Sequence, residues 1–381
     1  MVSPLDSLRK IRTLLQAPET MTSSVRGALV QTRTKLELKK RLIALLCGAF
    51  LGPGTGHVFL GRYRRAMVWW IATPSTLLLV VANASRIGET IGYDFVVPML
   101  VGLPCALWLA SVIDLFIVKR DNYLPIHVGW ALLAGAVSLA TAVVMPTFLN
   151  AYFIQAERVP STSMLPALVV GDHIVIDKRS KDFRRGNVVV FPFPESPEHD
   201  FVKRVVGVSG DTIRVDEMGA ISINDWPVPR CRVGMATWHD TDGEHSGDMF
   251  VEYLDASTYL TLHETKQLPP PFGPYRVGQG EAFVLGDNRF NSYDSRFWYG
   301  TGSGVSLGSI TGKALFRWIT FEKGEARSDR IGTPLSQPML PAEMKALSPA
   351  LGKCLASRPS REKSTPPAPK LPAPPTPGAA P

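Results

Sequence analysis

Very little in this sequence is equipped to bind a metal or a nucleotide. Four cysteines are spread over 381 residues, and none stands at metal-ligand spacing. Cys47 and Cys105 fall inside apolar runs, where a thiol reads as a small hydrophobe. Cys231 and Cys354 are far apart, and only an oxidising compartment would permit a bond between them. The seven histidines form no His-Glu-x-x-His pair, although 238–248 gathers His239 and His245 among several carboxylates. That segment reads as a polar surface insertion. No glycine-rich phosphate loop follows a strand, and no base-reading motif accompanies the net charge of +8, so neither a nucleotide site nor nucleic-acid binding is expected. The first forty residues are polar and lack a short apolar core with a small-residue cleavage site, so membrane insertion is expected to rest on internal spans.

Long apolar runs fill the region 41–150. Segments of about 66–84, 96–118 and 128–148 approach or reach the ~20 residues that cross a bilayer as a helix. Lys119 and Arg120 place the loop between the last two spans in the cytoplasm, and Arg62, Arg64 and Arg65 place the start of the first span there too. The last span then delivers the following domain to the opposite side. Segment 42–60 is flanked by basic residues at both ends and interrupted by Gly52-Pro53-Gly54-Thr55-Gly56. A straight span would leave one basic flank outside, so a re-entrant or broken helical hairpin is expected, with its non-helical backbone covered by protein. Residues 1–40 form a basic cytoplasmic segment.

Beyond Ala156 the pattern becomes β-like. Short β-branched runs at 173–177, 187–191, 201–208, 212–215, 220–223, 282–285 and 312–318 are punctuated by Gly186, Gly207, Gly210-Asp211 and Asn224-Asp225. Many short strands without alternating helices predict a mainly antiparallel β domain over 151–332. From 333 to 381, proline and alanine dominate, and a disordered tail is expected.

Three blocks in the β region carry chemistry. Pro160-Ser161-Thr162-Ser163-Met164-Leu165-Pro166 follows the last span. Phe201-Val202-Lys203-Arg204-Val205-Val206-Gly207 sets a lysine in an apolar strand pattern, and Gly286 to Arg296 reads Gly-Asp-Asn-Arg-Phe-Asn-Ser-Tyr-Asp-Ser-Arg. Each has an ordinary reading alone: a turn, a solvated edge lysine, a self-bonded polar loop. Together they supply a hydroxyl nucleophile, an amine base and a loop to orient that base. No histidine stands in a triad context. Alternation puts Lys203 on one face with Phe201 and Val205, where desolvation would lower its pKa, and turns Arg204 to the other face, still charged.

The order Ser…Lys…Gly-Asp-Asn-Arg resembles the bacterial type I signal peptidases, serine–lysine peptidases that remove signal peptides, over roughly 128–321. The resemblance implies Ser163 as nucleophile and Lys203 as general base. It places Ser161 and the Ser163 backbone N–H at the oxyanion, and Ser292 where a hydroxyl holds the lysine amine. Asp287, Asp294 and Arg296 would brace the site, and Met164, Leu168 and Val202 would line pockets for small side chains. Phe290, Asn187 and the additional Tyr299 depart from the usual pattern. The implied fold is a multi-span helical anchor followed by a signal-peptidase-like β domain. The implied activity is cleavage of exported preproteins after Ala-x-Ala-type sites, without cofactor or metal. The enzyme would sit in the bacterial inner membrane, with its catalytic domain on the periplasmic side and near the secretion translocon. A related peptidase dedicated to one secretion or conjugation client carries the same motifs. An inactive membrane scaffold would have lost the serine or the lysine, and a soluble self-cleaving repressor would lack the spans.

Overall fold

The computed structural model describes residues 23–117, 128–240, 243–264, 270–322 and 324–369. It divides into two compact units, one of residues 1–83 and 98–149, the other of 84–97 and 150–381.

The first unit is helical. Helix α1 (Ser23–Phe50) breaks where Gly52 and Gly54 take positive φ values of 104° and 82°. The short α2 (Thr55–Phe59) then folds back, so close that a Cβ on Gly56 would lie 2.3 Å from the Ala44 carbonyl. Thr55 closes the break, its hydroxyl donating to the Cys47 and Gly52 carbonyls at 2.7 Å. Helix α3 (Tyr63–Ala82) runs unbroken through Pro74. The short α4 (Ala84–Ile91), which belongs to the second unit, leads to α5 (Tyr93–Ile117), and α6 (Val128–Tyr152) closes the helical series. Among the described residues, three stretches, Tyr63–Ala82, Tyr93–Ile117 and Leu133–Tyr152, are long and apolar enough to cross a membrane. Their starts differ by three to five residues from the sequence expectation. Lys119 and Arg120, on which the orientation argument leans, lie outside the described residues.

The second unit is built on antiparallel strands. Its main sheet runs β1 (Ile154–Arg158), β2 (Asp172–Asp177), β14 (Gly312–Glu322), β3 (Val188–Phe193), β4 (Ser196–Val208), β12 (Glu281–Leu285) and β13 (Val305–Ser306). The short β15 (Glu325–Ala326) and β16 (Thr333–Pro334) pair with β14. A second sheet orders β11 (Phe272–Arg276), β5 (Thr212–Val215), β6 (Ile221–Ile223) and β7 (Trp226–Pro227). A third orders β10 (Ser257–Glu264), β9 (Gly243–Leu254) and β8 (Arg230–Asp240). The runs read from the sequence reappear within a few residues, because alternating β-branched residues bury one face of each strand. Ala84–Val97 clusters with this unit, with Tyr93 stacked on Phe316 at 4.9 Å.

The described residues of 238–248 form the polar end of the β8–β9 hairpin: His239, Gly243 and Glu244 are exposed, His245 lies 2.6 Å from Glu264, and Trp238 turns inward to an apolar cluster with Met249 and Val251. One expectation needs correction: 333–369 is not a disordered tail. Strand β16 pairs with β14, and helix α7 (Ser348–Ala356) buries Leu351 and Cys354 in the cluster of Trp238 and Tyr253. Farther on, the Asn224 amide donates to the Pro367 carbonyl at 2.8 Å. The proline-rich composition concealed a few spaced apolar anchors, Leu340, Met344 and Leu351, that suffice to fix a strap. Residues 370–381 lie outside the described residues.

Cys354 bonds Cys231 across a sequence separation of 123 residues. Closing so long a loop constrains the unfolded chain strongly, so the Cys231→Ser/Cys354→Ser variant is expected to lose about 2–4 kcal/mol. Tryptophan-fluorescence melts with and without reductant check this: the wild type should fall to the variant's midpoint on reduction, and the variant should not respond.

Candidate active site

Strand β4 carries Lys203 between β3, where Val189 is its partner, and β12. Alternation sends the lysine and Phe201 to one face of the strand and Arg204 to the other. Lys203 is 3% exposed, and its Nζ donates to Ser163 Oγ at 2.8 Å. Burial pushes the amine down to about 8; the Asp294 and Asp287 carboxylates oppose the shift and Arg296 adds to it. An amine with that pKa holds an appreciable neutral fraction near neutral pH.

The nucleophile loop is fixed from both sides. Val159 exchanges backbone hydrogen bonds with Gly171 and Asp172 before the loop, and Leu165 closes a turn onto the Thr162 carbonyl. Met164 and Leu168 then plug into a buried cluster with Ile174, Val188 and Val190. The Asp172 carboxylate, itself buried, accepts from the Val169 N–H, Thr320 and Arg330. From the other side, the Asn288 N–H donates to the Ser163 carbonyl at 3.1 Å, and the Asn288 amide reaches the Thr162 carbonyl at 3.3 Å. Ser161 Oγ lies 3.2 Å from Ser163 Oγ. Among the described residues, the Ser163 N–H donates to nothing.

The 286–296 block packs beneath the pair. Gly286 has no alternative: a Cβ there would come within 2.5 Å of the Ser163 carbonyl and 2.2 Å of Ser292 Oγ. Its N–H donates to Asp294 at 3.0 Å, and Asp294 grips Arg296 through two hydrogen bonds of 2.8 and 2.9 Å. Arg296 in turn donates to the Arg289 carbonyl at 2.6 Å. Asp287 forms a forked pair with Arg204 at 2.7 and 2.6 Å, both side chains fully buried, which raises the guanidinium's pKa and keeps it charged.

The residues named from the sequence thus converge, with two differences. Ser292 is buried against Gly286, but its hydroxyl has no hydrogen-bond partner, and the lysine amine is held by Ser163 instead. Met164 and Leu168 lie wholly within the core cluster, leaving Val202 at its partly exposed edge. One residue was missed: Glu252 on β9 pairs with the buried Arg289 at 2.8 Å. It falls in none of the blocks singled out in the sequence, so no motif announced it. Phe290 packs edge-on against His263 at 5.4 Å. Burial drives that imidazole down to about 2, with Arg289 adding to the shift, so it stays neutral and tied to the Met218 carbonyl and Thr261.

Comparison with known proteins bears on the same region. Residues 132–319 match the family model described as signal peptidase, peptidase S26. Over 195 residues the chain is 31% identical to the signal peptidase I of Pseudomonas fluorescens, covering 45% of this chain and 67% of that enzyme. It is 30% identical over 207 residues to the signal peptidase I of Leptolyngbya laminosa, covering 51% and 83% respectively. A probable thylakoidal processing peptidase of Arabidopsis thaliana is 29% identical over 188 residues, covering 47% and 41%. Identity at this level across two thirds or more of the bacterial enzymes' length settles the kinship: the chain belongs to the type I signal peptidases of peptidase family S26.

Proposed function

We propose that this chain cleaves signal peptides from exported preproteins after small residues, using Ser163 as nucleophile and Lys203 as general base. The observation that carries the reading is the 2.8 Å hydrogen bond between the buried Lys203 amine and the Ser163 hydroxyl. A serine hydroxyl attacks a peptide carbonyl only when a base takes its proton, and a neutral amine at that distance can do so. The alkoxide formed on the carbonyl would meet the Ser161 hydroxyl and the uncommitted Ser163 N–H. Lys203 then passes the proton to the leaving amine, the acyl chain remains esterified to Ser163, and water activated by Lys203 releases it. Asp294, Arg296 and Asp287 hold this geometry without touching the reacting atoms. Ser292, with a buried and unpaired hydroxyl beside Gly286, would receive the amine once Ser163 is acylated.

The same reading makes the chain a multi-pass protein of the bacterial inner membrane, with the peptidase unit outside the cytoplasm and 42–60 re-entrant. Support comes from the apolar side chains that the long helices expose, such as Leu79, Leu139 and Val143, and from the basic residues Arg62, Arg64 and Arg65 before α3. The Cys231–Cys354 bond fits an oxidising compartment. The substrate would bind extended, with small side chains toward Val202.

The test is incubation of detergent-solubilised full chain with several unrelated preproteins, followed by N-terminal sequencing of the products. Cleavage after Ala-x-Ala in most of them, lost in Ser163→Ala, is expected. Cleavage of a single preprotein would favour a dedicated client, and persistence in Ser163→Ala would remove the assigned nucleophile.

A further inference from the structure

General-acid chemistry fixes the side on which the leaving group departs. Lys203 must reach the nitrogen that becomes the N-terminus of the mature protein, so the residues beyond the scissile bond lie on the side of its Nζ. What stands there is aromatic. The Phe201 ring centroid is 4.9 Å from Nζ, and Phe193 stacks on Phe201 at 4.3 Å with an interplanar angle of 8°. Tyr293 meets Phe193 edge-on at 5.9 Å, and Phe297 stacks on Tyr293 at 6.1 Å. The run ends at the surface with Tyr293, 45% exposed, and Tyr299, 60% exposed, is tied to it through Glu195. Val202 packs instead with Met164 and Leu168, so β4 itself separates the small-residue side from the aromatic one.

The two outer tyrosines are held in place. Tyr299 has a φ of +53°, a conformation that a bulky side chain keeps only when its surroundings impose it. Glu195, at the turn between β3 and β4, imposes it: its carboxylate accepts the Tyr299 N–H at 2.6 Å and the Tyr293 hydroxyl at 3.0 Å. The Tyr299 hydroxyl donates to the Pro194 carbonyl at 3.0 Å. Solvent contact alone gives no reason to hold two exposed rings in this way.

We propose that Tyr293 and Tyr299, continued inward by Phe193 and Phe201, form a subsite for the first residues of the mature chain that favours an apolar or aromatic side chain over glycine or a small polar one. The inference rests on the Ser163–Lys203 reading of the site.

The test compares two peptides identical through an Ala-x-Ala site and differing in the two residues after it, Leu-Phe against Gly-Ser, cleaved by full chain in detergent. Wild type should prefer Leu-Phe by about fivefold in kcat/KM, mostly through KM, as expected for one or two ring contacts. Tyr299→Gly, which removes the ring and suits the left-handed backbone, and Tyr293→Ala should each bring the ratio below about twofold, while Tyr293→Phe, which keeps the ring, should preserve it. A wild-type ratio near one, or a preference that survives both ring deletions, overturns the subsite. So does a ring deletion that slows both peptides equally in lipid vesicles with the ratio intact, which would make the tyrosines a bilayer contact. Failure of wild type to cut either peptide strikes the catalytic reading first, and the subsite falls with it.

Discussion

Lys203→Ala is expected to abolish cleavage, lowering kcat/KM by at least about 10³-fold, the scale of a lost general base. Nothing nearby replaces it. Arg204 is turned to the other face and locked to Asp287, Arg296 is locked to Asp294, and His263 is neutral, buried and occupied by the Met218 carbonyl and Thr261. The alanine variant also leaves a small void between Phe201 and Ser163 where the amine stood. Its fold should survive, because the deleted amine was itself costly to bury. The melting midpoint therefore serves as the control: lost activity with an unchanged or higher midpoint isolates the chemical role. Lys203→Arg should be equally inactive, since a guanidinium does not give up its proton. Preprotein cleavage followed by gel, with both variants beside wild type, checks this directly, and appreciable turnover by either would remove the lysine from the mechanism.

Asp287→Ala is expected to be the most destabilising single change in the peptidase unit. Asp287 and Arg204 are each 1% exposed at the side chain, and removing the carboxylate strands a guanidinium in the interior. Breaking a buried pair from one side costs about 3–5 kcal/mol, or roughly a 10 °C drop in melting midpoint for a unit of this size. Arg204 would keep only the Gly186 carbonyl and the Tyr259 ring. The loss should reach the site, because the Asp287 carbonyl accepts from Leu262 and the next residue, Asn288, holds the Ser163 carbonyl. The double change Arg204→Met/Asp287→Leu, which removes both charges, should recover most of the midpoint. A melt in which Asp287→Ala matches wild type would contradict the account of this pair.

Much of this arrangement was legible in the sequence. Lys203 could be read because strand alternation has a period of two and its neighbours are β-branched and aromatic, so burial of every second residue followed. Arg204 was correctly turned away, yet its burial against Asp287 could not be read, since the partner lies on a distant loop. Nothing in the sequence singled out Gly286 as a point of close approach, and the structure shows the Ser163 carbonyl packed against it. The strap was misread because composition averages over a segment, whereas Leu340, Met344, Leu351 and Cys354 act as single anchors. Glu252 was invisible for a related reason. The hairpin carrying it alternates charged and apolar residues, and its polar half drew attention to a metal decoy while its apolar half built a core. Ser292 shows the limit of carrying a role by position: the hydroxyl stands beside the site, but the amine's hydrogen bond goes to Ser163.

The central claim is that a neutral lysine activates the serine, and the pH dependence of kcat/KM tests it most directly. Burial lowers the Lys203 pKa to about 8, and the active form is the deprotonated one, so kcat/KM should rise with pH through a midpoint near that value and level off above it. A midpoint near 6.5, the ordinary range of a histidine, or a rise that continues toward about 10.4, the range of an exposed lysine, would contradict it.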